Sequence, residues 1–101
     1  MPAVLHVVLV QWRPDAADWD REAVRVAVRG MASRIPGIIA LEEGPSVSPE
    51  GLERGHDYGF VVTFDDAAAR DSYLPHPEHL AAADRIGAAA AQVTVFDVAA
   101  R

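Results

Sequence analysis

Apolar and polar positions along this chain fall into four short strand-like runs separated by stretches of helical spacing. Val4 to Trp12, VLHVVLVQW, is almost wholly apolar and rich in β-branched residues, the pattern of a strand buried on both faces. Period-2 geometry sets His6, Val8, Val10 and Trp12 on one face and Leu5, Val7, Leu9 and Gln11 on the other. Pro14-Asp15 turns the chain, and Asp18 is placed to cap a helix. Trp19, Ala23, Val26, Ala27, Gly30 and Met31 recur at helical spacing, with Arg21, Glu22, Arg25 and Arg29 off that stripe. This predicts a helix over 19–34. Pro36-Gly37 ends it, because proline disfavours helical geometry at Ile35. IIALEEGPSV, 38–47, reads as a second strand whose Gly44-Pro45 suits an edge or a bulge. A polar loop, 48–55, leads to YGFVVTF, 58–64, which alternates so that Tyr58, Phe60, Val62 and Phe64 share a face. His56 falls at the mouth of this strand, on neither face. Asp65-Asp66 caps a short helix through about Leu74, and Pro75 stops it. A second helical stretch runs from Pro77 to about Ala91, and VTVFDV, 93–98, is the last strand.

The order is β-α-β-β-α-β, with the second helix broken near Pro75-Pro77. That is the α+β, ferredoxin-like arrangement, with a four-stranded antiparallel sheet whose first and third strands lie in the middle. Helices cover one face of such a sheet. The first strand carries apolar residues on both faces, so something must cover the second. With no further helix in the chain, a second copy is the economical cover. Two sheets meeting face to face make a homodimeric α/β barrel.

Composition narrows the function without naming it. The 101 residues make one domain, 1–101, able to bury roughly two-thirds of the unfolded surface. The formal charge of -6 argues against nucleic acid and against an anionic membrane surface. With no cysteine, disulfides, thiolate catalysis and cysteine-rich zinc sites are excluded. MPAVLHVVLVQWR lacks the basic start and cleavage motif of a secretory signal, and its apolar run is too short to span a bilayer. The expectation is a cytoplasmic protein.

The chemistry concentrates in YLPHPEHL, 73–80, which holds two of the four histidines. If Pro77 is the first helical residue, His79 lies in the first turn. Burial and the positive helix end favour an uncharged imidazole there, with Glu78 opposing. From His79 the stripe continues through Ala83, Ile86 and Ala90, which aims the ring at the sheet. Tyr73, one turn after Ala69, also faces inward. His76 occupies a cap position. A pair of histidines spaced across Pro77 is poorly arranged for a metal, and no metal or cofactor is expected. His6 stands alone among apolar neighbours, with Tyr58 as its expected partner on the adjacent strand. His79 as general base, Tyr73 as donor to an enolate oxygen and His6 as an orienting group would meet a small hydrophobic carbonyl compound. Tyr58, Phe60 and Met31 would contact it. The competing reading makes the histidines caps and core residues of a non-catalytic dimer.

LHVVLVQW, the IPGI turn at 35–38, YGFVVTF and SYLPHPEHL resemble the stress-responsive α/β-barrel family, the Dabb domains, over about Val4 to Val98. The resemblance implies the dimeric barrel. It also implies chemistry in one plant branch, which closes a linear polyketide into an aromatic ring by aldol condensation without metal or organic cofactor. The working tyrosine and histidine of that branch fall on Tyr73 and His79, and a first-strand histidine falls on His6. The branch has a further histidine on the third strand, where this chain has Tyr58.

Overall fold

The computed structural model describes residues 2–100. Its elements are β1 (Val4–Trp12), α1 (Asp18–Arg34), β2 (Ile38–Gly44), β3 (Tyr58–Phe64), α2 (Ala67–Tyr73), α3 (Pro77–Ala89) and β4 (Ala90–Ala99). The strands form one antiparallel sheet in the order β2-β3-β1-β4. The ferredoxin-like order expected from the sequence is therefore the one observed, with the second helix split in two. No helix among the described residues is long and apolar enough to cross a membrane.

The two faces of the sheet differ sharply. Val4, His6, Val8 and Val10 of β1 and Tyr58, Phe60, Val62 and Phe64 of β3 are buried beneath the helices. From above, Val24, Val28, Met31 and Ile35 of α1 and its cap, and Ala82, Ile86 and Ala89 of α3, close the core. Each fully buried valine or phenylalanine contributes on the order of 1.5–3 kcal/mol. Nothing among the described residues covers the opposite face. There Leu9, Phe96 and Val98 are 38%, 68% and 45% exposed, although Val7 and Leu5 lie directly beside the last two in register.

Several boundaries and phases differ from expectation. Ala17, not Asp18, is the N-cap of α1 and makes no side-chain cap bond; Asp18 and Asp20 instead lie in the first turn, where they favour the positive helix end. The buried stripe of α1 is Val24, Val28 and Met31, so Trp19 at 72% and Val26 at 56% exposure face outward. The stripe expected through Trp19, Ala23, Val26, Ala27, Gly30 and Met31 shares only Met31 with the buried row. The row that won continues into Ile35, whose burial sets the helix's rotation. Arg25 and Arg29, flanking it, both donate to Glu43 of β2 at 3.0–3.1 Å. β2 ends at Gly44, since Pro45 has no N–H to continue the ladder. α3 stops at Ala89, earlier than its alanines suggest, because Ala90 already pairs with Trp12 through a bulge at Gln11/Trp12. Its buried positions are Ala82, Ile86 and Ala89, one step round from the stripe the spacing offered. His56 donates from Nδ1 to the Glu53 carbonyl (2.8 Å) and reaches Thr94 Oγ1 with Nε2 (3.0 Å). It therefore ties the β2–β3 loop to the uncovered face rather than standing clear of both faces.

The α1–β2 turn holds the α2 end in place. Gly37 has φ +91°, and a Cβ there would lie 2.8 Å from the Ala69 Cβ. Gly37→Ala is expected to cost about 1–3 kcal/mol, from left-handed backbone strain and this contact. A urea midpoint lowered at unchanged slope would measure it; an unchanged midpoint would mean that the turn can relax.

Candidate active site

The helix break that looked like a corner is one. Asp66 caps α2, accepting from the Ala69 N–H at 2.8 Å. Tyr73 ends that helix. His76 caps α3 through Nδ1, which accepts from the Glu78 N–H at 3.1 Å, and Pro77 follows at N1, where its missing N–H costs nothing. His79 is then fixed in the first turn. Its Nδ1–H donates back across the corner to the Leu74 carbonyl at 2.8 Å. In a neutral imidazole this leaves Nε2 carrying the lone pair.

Three expected residues come together here. The half-buried His79 ring packs on Tyr73 with centroids 4.2 Å apart. Tyr73 is fully buried and meets His6 at 5.4 Å and Phe64 at 4.9 Å, both edge-on. The Tyr73 hydroxyl is buried and has no hydrogen-bond partner among the described residues. Burial, and next the charge of Asp97, push its pKa above that of an ordinary phenol, so it stays a protonated donor.

Two residues that the sequence reading did not single out complete the cluster. Asp97 of β4 lies opposite His6 in register and accepts from His6 Nδ1–H at 2.6 Å. Its other oxygen accepts from Arg70 Nη1 of α2 at 2.5 Å. Burial works to raise the Asp97 pKa, but the hydrogen bonds from His6 and Arg70 together hold it below the usual carboxylate range. The carboxylate fixes the His6 ring and leaves its Nε2 free of that bond. The alternation of VTVFDV puts Asp97 on the helix-side face. Its meeting with His6 depends on the β1–β4 register, which no local pattern carries.

Tyr58 is elsewhere. It pairs with Val10, four residues along β1 from His6 and so about 13 Å away. It stacks on Trp12 at 5.3 Å instead. The expected His6–Tyr58 pair is corrected by that register: three polar side chains converge, not four. Met31 is 1% exposed in the core. A cavity of about 590 Å³ lies on the uncovered face against the β2–β3 loop, with Leu9, Val47, Val61 and Phe60 in its wall. A second, of about 190 Å³, lies beside the start of α1. His6, Tyr73 and His79 line neither. Among the described residues no three histidine or carboxylate groups gather as a metal site.

Comparison with known proteins extends this picture. The Stress Responsive A/B Barrel Domain family matches residues 4–100. Olivetolic acid cyclase from Cannabis sativa is 21% identical over 95 residues, 94% of each chain. A dimeric ferredoxin-like protein of unknown function from Jannaschia sp. CCS1 superposes with a TM-score of 0.85 at 27% identity, covering 95% of this chain and 97% of that one. A hydroxynitrile lyase from Passiflora edulis superposes with a TM-score of 0.89 at 16% identity, covering 99% and 94%, a likeness of fold.

Proposed function

We propose that this chain, which belongs to the Stress Responsive A/B Barrel Domain family, acts as a homodimer on a small hydrophobic carbonyl compound, by acid–base chemistry that needs no cofactor. The observation that carries this is the buried, unpartnered Tyr73 hydroxyl packed beside an imidazole whose Nδ1–H is already committed to Leu74. A buried hydroxyl without a partner costs stability and persists where a ligand uses it. In the proposed reaction His79 Nε2 takes a proton from carbon next to the carbonyl. The Tyr73 O–H donates to the oxygen as negative charge develops there. His6, held by Asp97 and through it by Arg70, orients the bound molecule. The matching tyrosine and histidines of the cyclase branch support this assignment, and the presence of Tyr58 in place of its third-strand histidine argues against an identical substrate. The uncovered sheet face supports the dimer, as does the dimeric state of the Jannaschia relative.

One observation favours a second reading. The cluster is closely packed and neither cavity opens onto it, as expected of structural histidines in a ligand-binding dimer without catalysis. Proton exchange separates the two. Hydrophobic 1,3-diketones incubated with the protein in D₂O should lose their α-proton NMR signal faster than with equimolar imidazole. His79→Ala should remove the excess rate while leaving the fold and assembly intact. Exchange no faster than imidazole, across a panel of such ketones, would leave the second reading standing.

A further inference from the structure

The smaller cavity lies where α1 begins, against the ends of β1 and β3 and well away from the His79 cluster. Two of its wall residues hold buried polar atoms with no well-formed hydrogen bond among the described residues. Among the described residues, the Arg21 Nε–H and the Tyr58 hydroxyl are both buried without a well-formed hydrogen bond, although the Glu43 carboxylate lies close enough to the hydroxyl to act on it. Tyr58 is 3% exposed, and burial, followed by the charge of Glu43, raises its pKa, so its hydroxyl keeps its proton. Two such donors on residues that line one cavity are exceptional in a folded protein and ask for an acceptor.

The neighbouring groups define what that acceptor is. Arg25 is engaged by Glu43, Glu22 by Arg29, and one Asp57 oxygen by the Trp12 backbone N–H. Asp18 stands in the wall as well. Three carboxylates against two guanidiniums make the cavity a poor home for an anion. Trp12, itself stacked on Tyr58, and Pro45 supply flat apolar surface. A volume of about 190 Å³ holds a single ring, below the roughly 300–1,000 Å³ of drug-sized sites.

We infer that this cavity is a second small-molecule site, which takes an uncharged planar carbonyl compound whose oxygen accepts from Arg21 and Tyr58. Both donors are closed off in this structure, so binding requires Arg21, part of the wall, to change rotamer. The site stands independently of the chemistry proposed for His79, because the two share no residue.

Benzamide is the probe, followed by ¹H–¹⁵N NMR of the whole protein. The Trp12 indole N–H and the Arg21 Nε–H signals should shift together and saturate in the millimolar range. Tyr58→Phe should weaken binding roughly fivefold, the loss of one neutral hydrogen bond. Arg21→Gln serves as a second variant with the same expected direction. Benzoate should bind more weakly than benzamide. Absence of a saturable shift, or equal affinity in both variants, would overturn the site. Benzoate binding the tighter of the two would overturn the ligand class. Shifts confined to Tyr73 and His79 would put the probe in the other cluster and overturn the assignment equally.

Discussion

Replacing Val7 by Asp is expected to convert the dimer to a monomer. Val7 is at the middle of the uncovered face, on central strand β1, with Val61 on one side and Phe96 on the other in register. It lines the cavity of about 590 Å³ on that face. In the separate chain a carboxylate there remains within reach of water and costs the fold little. In a face-to-face pair it would be desolvated with no cation opposite, at a cost of several kcal/mol. Each 1.4 kcal/mol is tenfold in dissociation constant, so a weakening of a thousandfold or more follows. Sedimentation velocity at micromolar concentration should show a pair for the wild type and a single chain for Val7→Asp. Circular dichroism should match in both, to separate dissociation from unfolding. A wild type that sediments as a monomer would end the face-to-face proposal, as would a Val7→Asp protein that stays paired.

Tyr73→Phe is expected to raise stability and lower activity together. The hydroxyl is buried without a partner, and its desolvation without a bond costs about 1–3 kcal/mol. Phenylalanine keeps the contacts with His6, Phe64 and the His79 ring and drops that cost. Chemical denaturation should therefore give a higher midpoint for the variant. If the hydroxyl donates to a developing enolate, the same change should slow exchange about 10²–10³-fold, as when an oxyanion donor is removed elsewhere. A destabilised variant would mean that the hydroxyl has a structural partner. An unchanged exchange rate would remove Tyr73 from the chemistry. Stability gained and rate lost in one substitution is the signature of a residue kept for function.

Much of this arrangement is readable in the chain because it is local. The β3 alternation, the Asp66 cap, the stop at Pro75 and the restart at Pro77 each rest on a few adjacent residues, and each stands in the structure. His79 and Tyr73 were legible as a pair because the prolines between them leave the corner little freedom. What escaped depends on distant pairing. Tyr58 and His6 share a sheet face, yet the β1–β3 register sets them four residues apart. Asp97 reaches His6 only because β4 pairs with β1 along its whole length, and Arg70 reaches Asp97 only because α2 packs at that end. The rotation of α1 was misplaced for a similar reason: Ile35 and the Glu43 clamp set it from outside the helix. The early start of β4 shows strand pairing overriding the helical preference of alanine.

α3 passes into β4 with no intervening loop, Ala89 closing one and Ala90 opening the other. Insertions and deletions are usually absorbed by slack in a connection, and here there is none. Loss of a single residue between Ala89 and Val93 would advance every following position by one along β1. Because neighbouring side chains in a strand point to opposite sides, Val98 would then stand against His6 and Asp97 would fall beside Val7. One deletion would strip the imidazole of its carboxylate and put a negative charge on the uncovered face, where the proposed dimer would form. This short stretch should therefore tolerate changes of residue far better than changes of length.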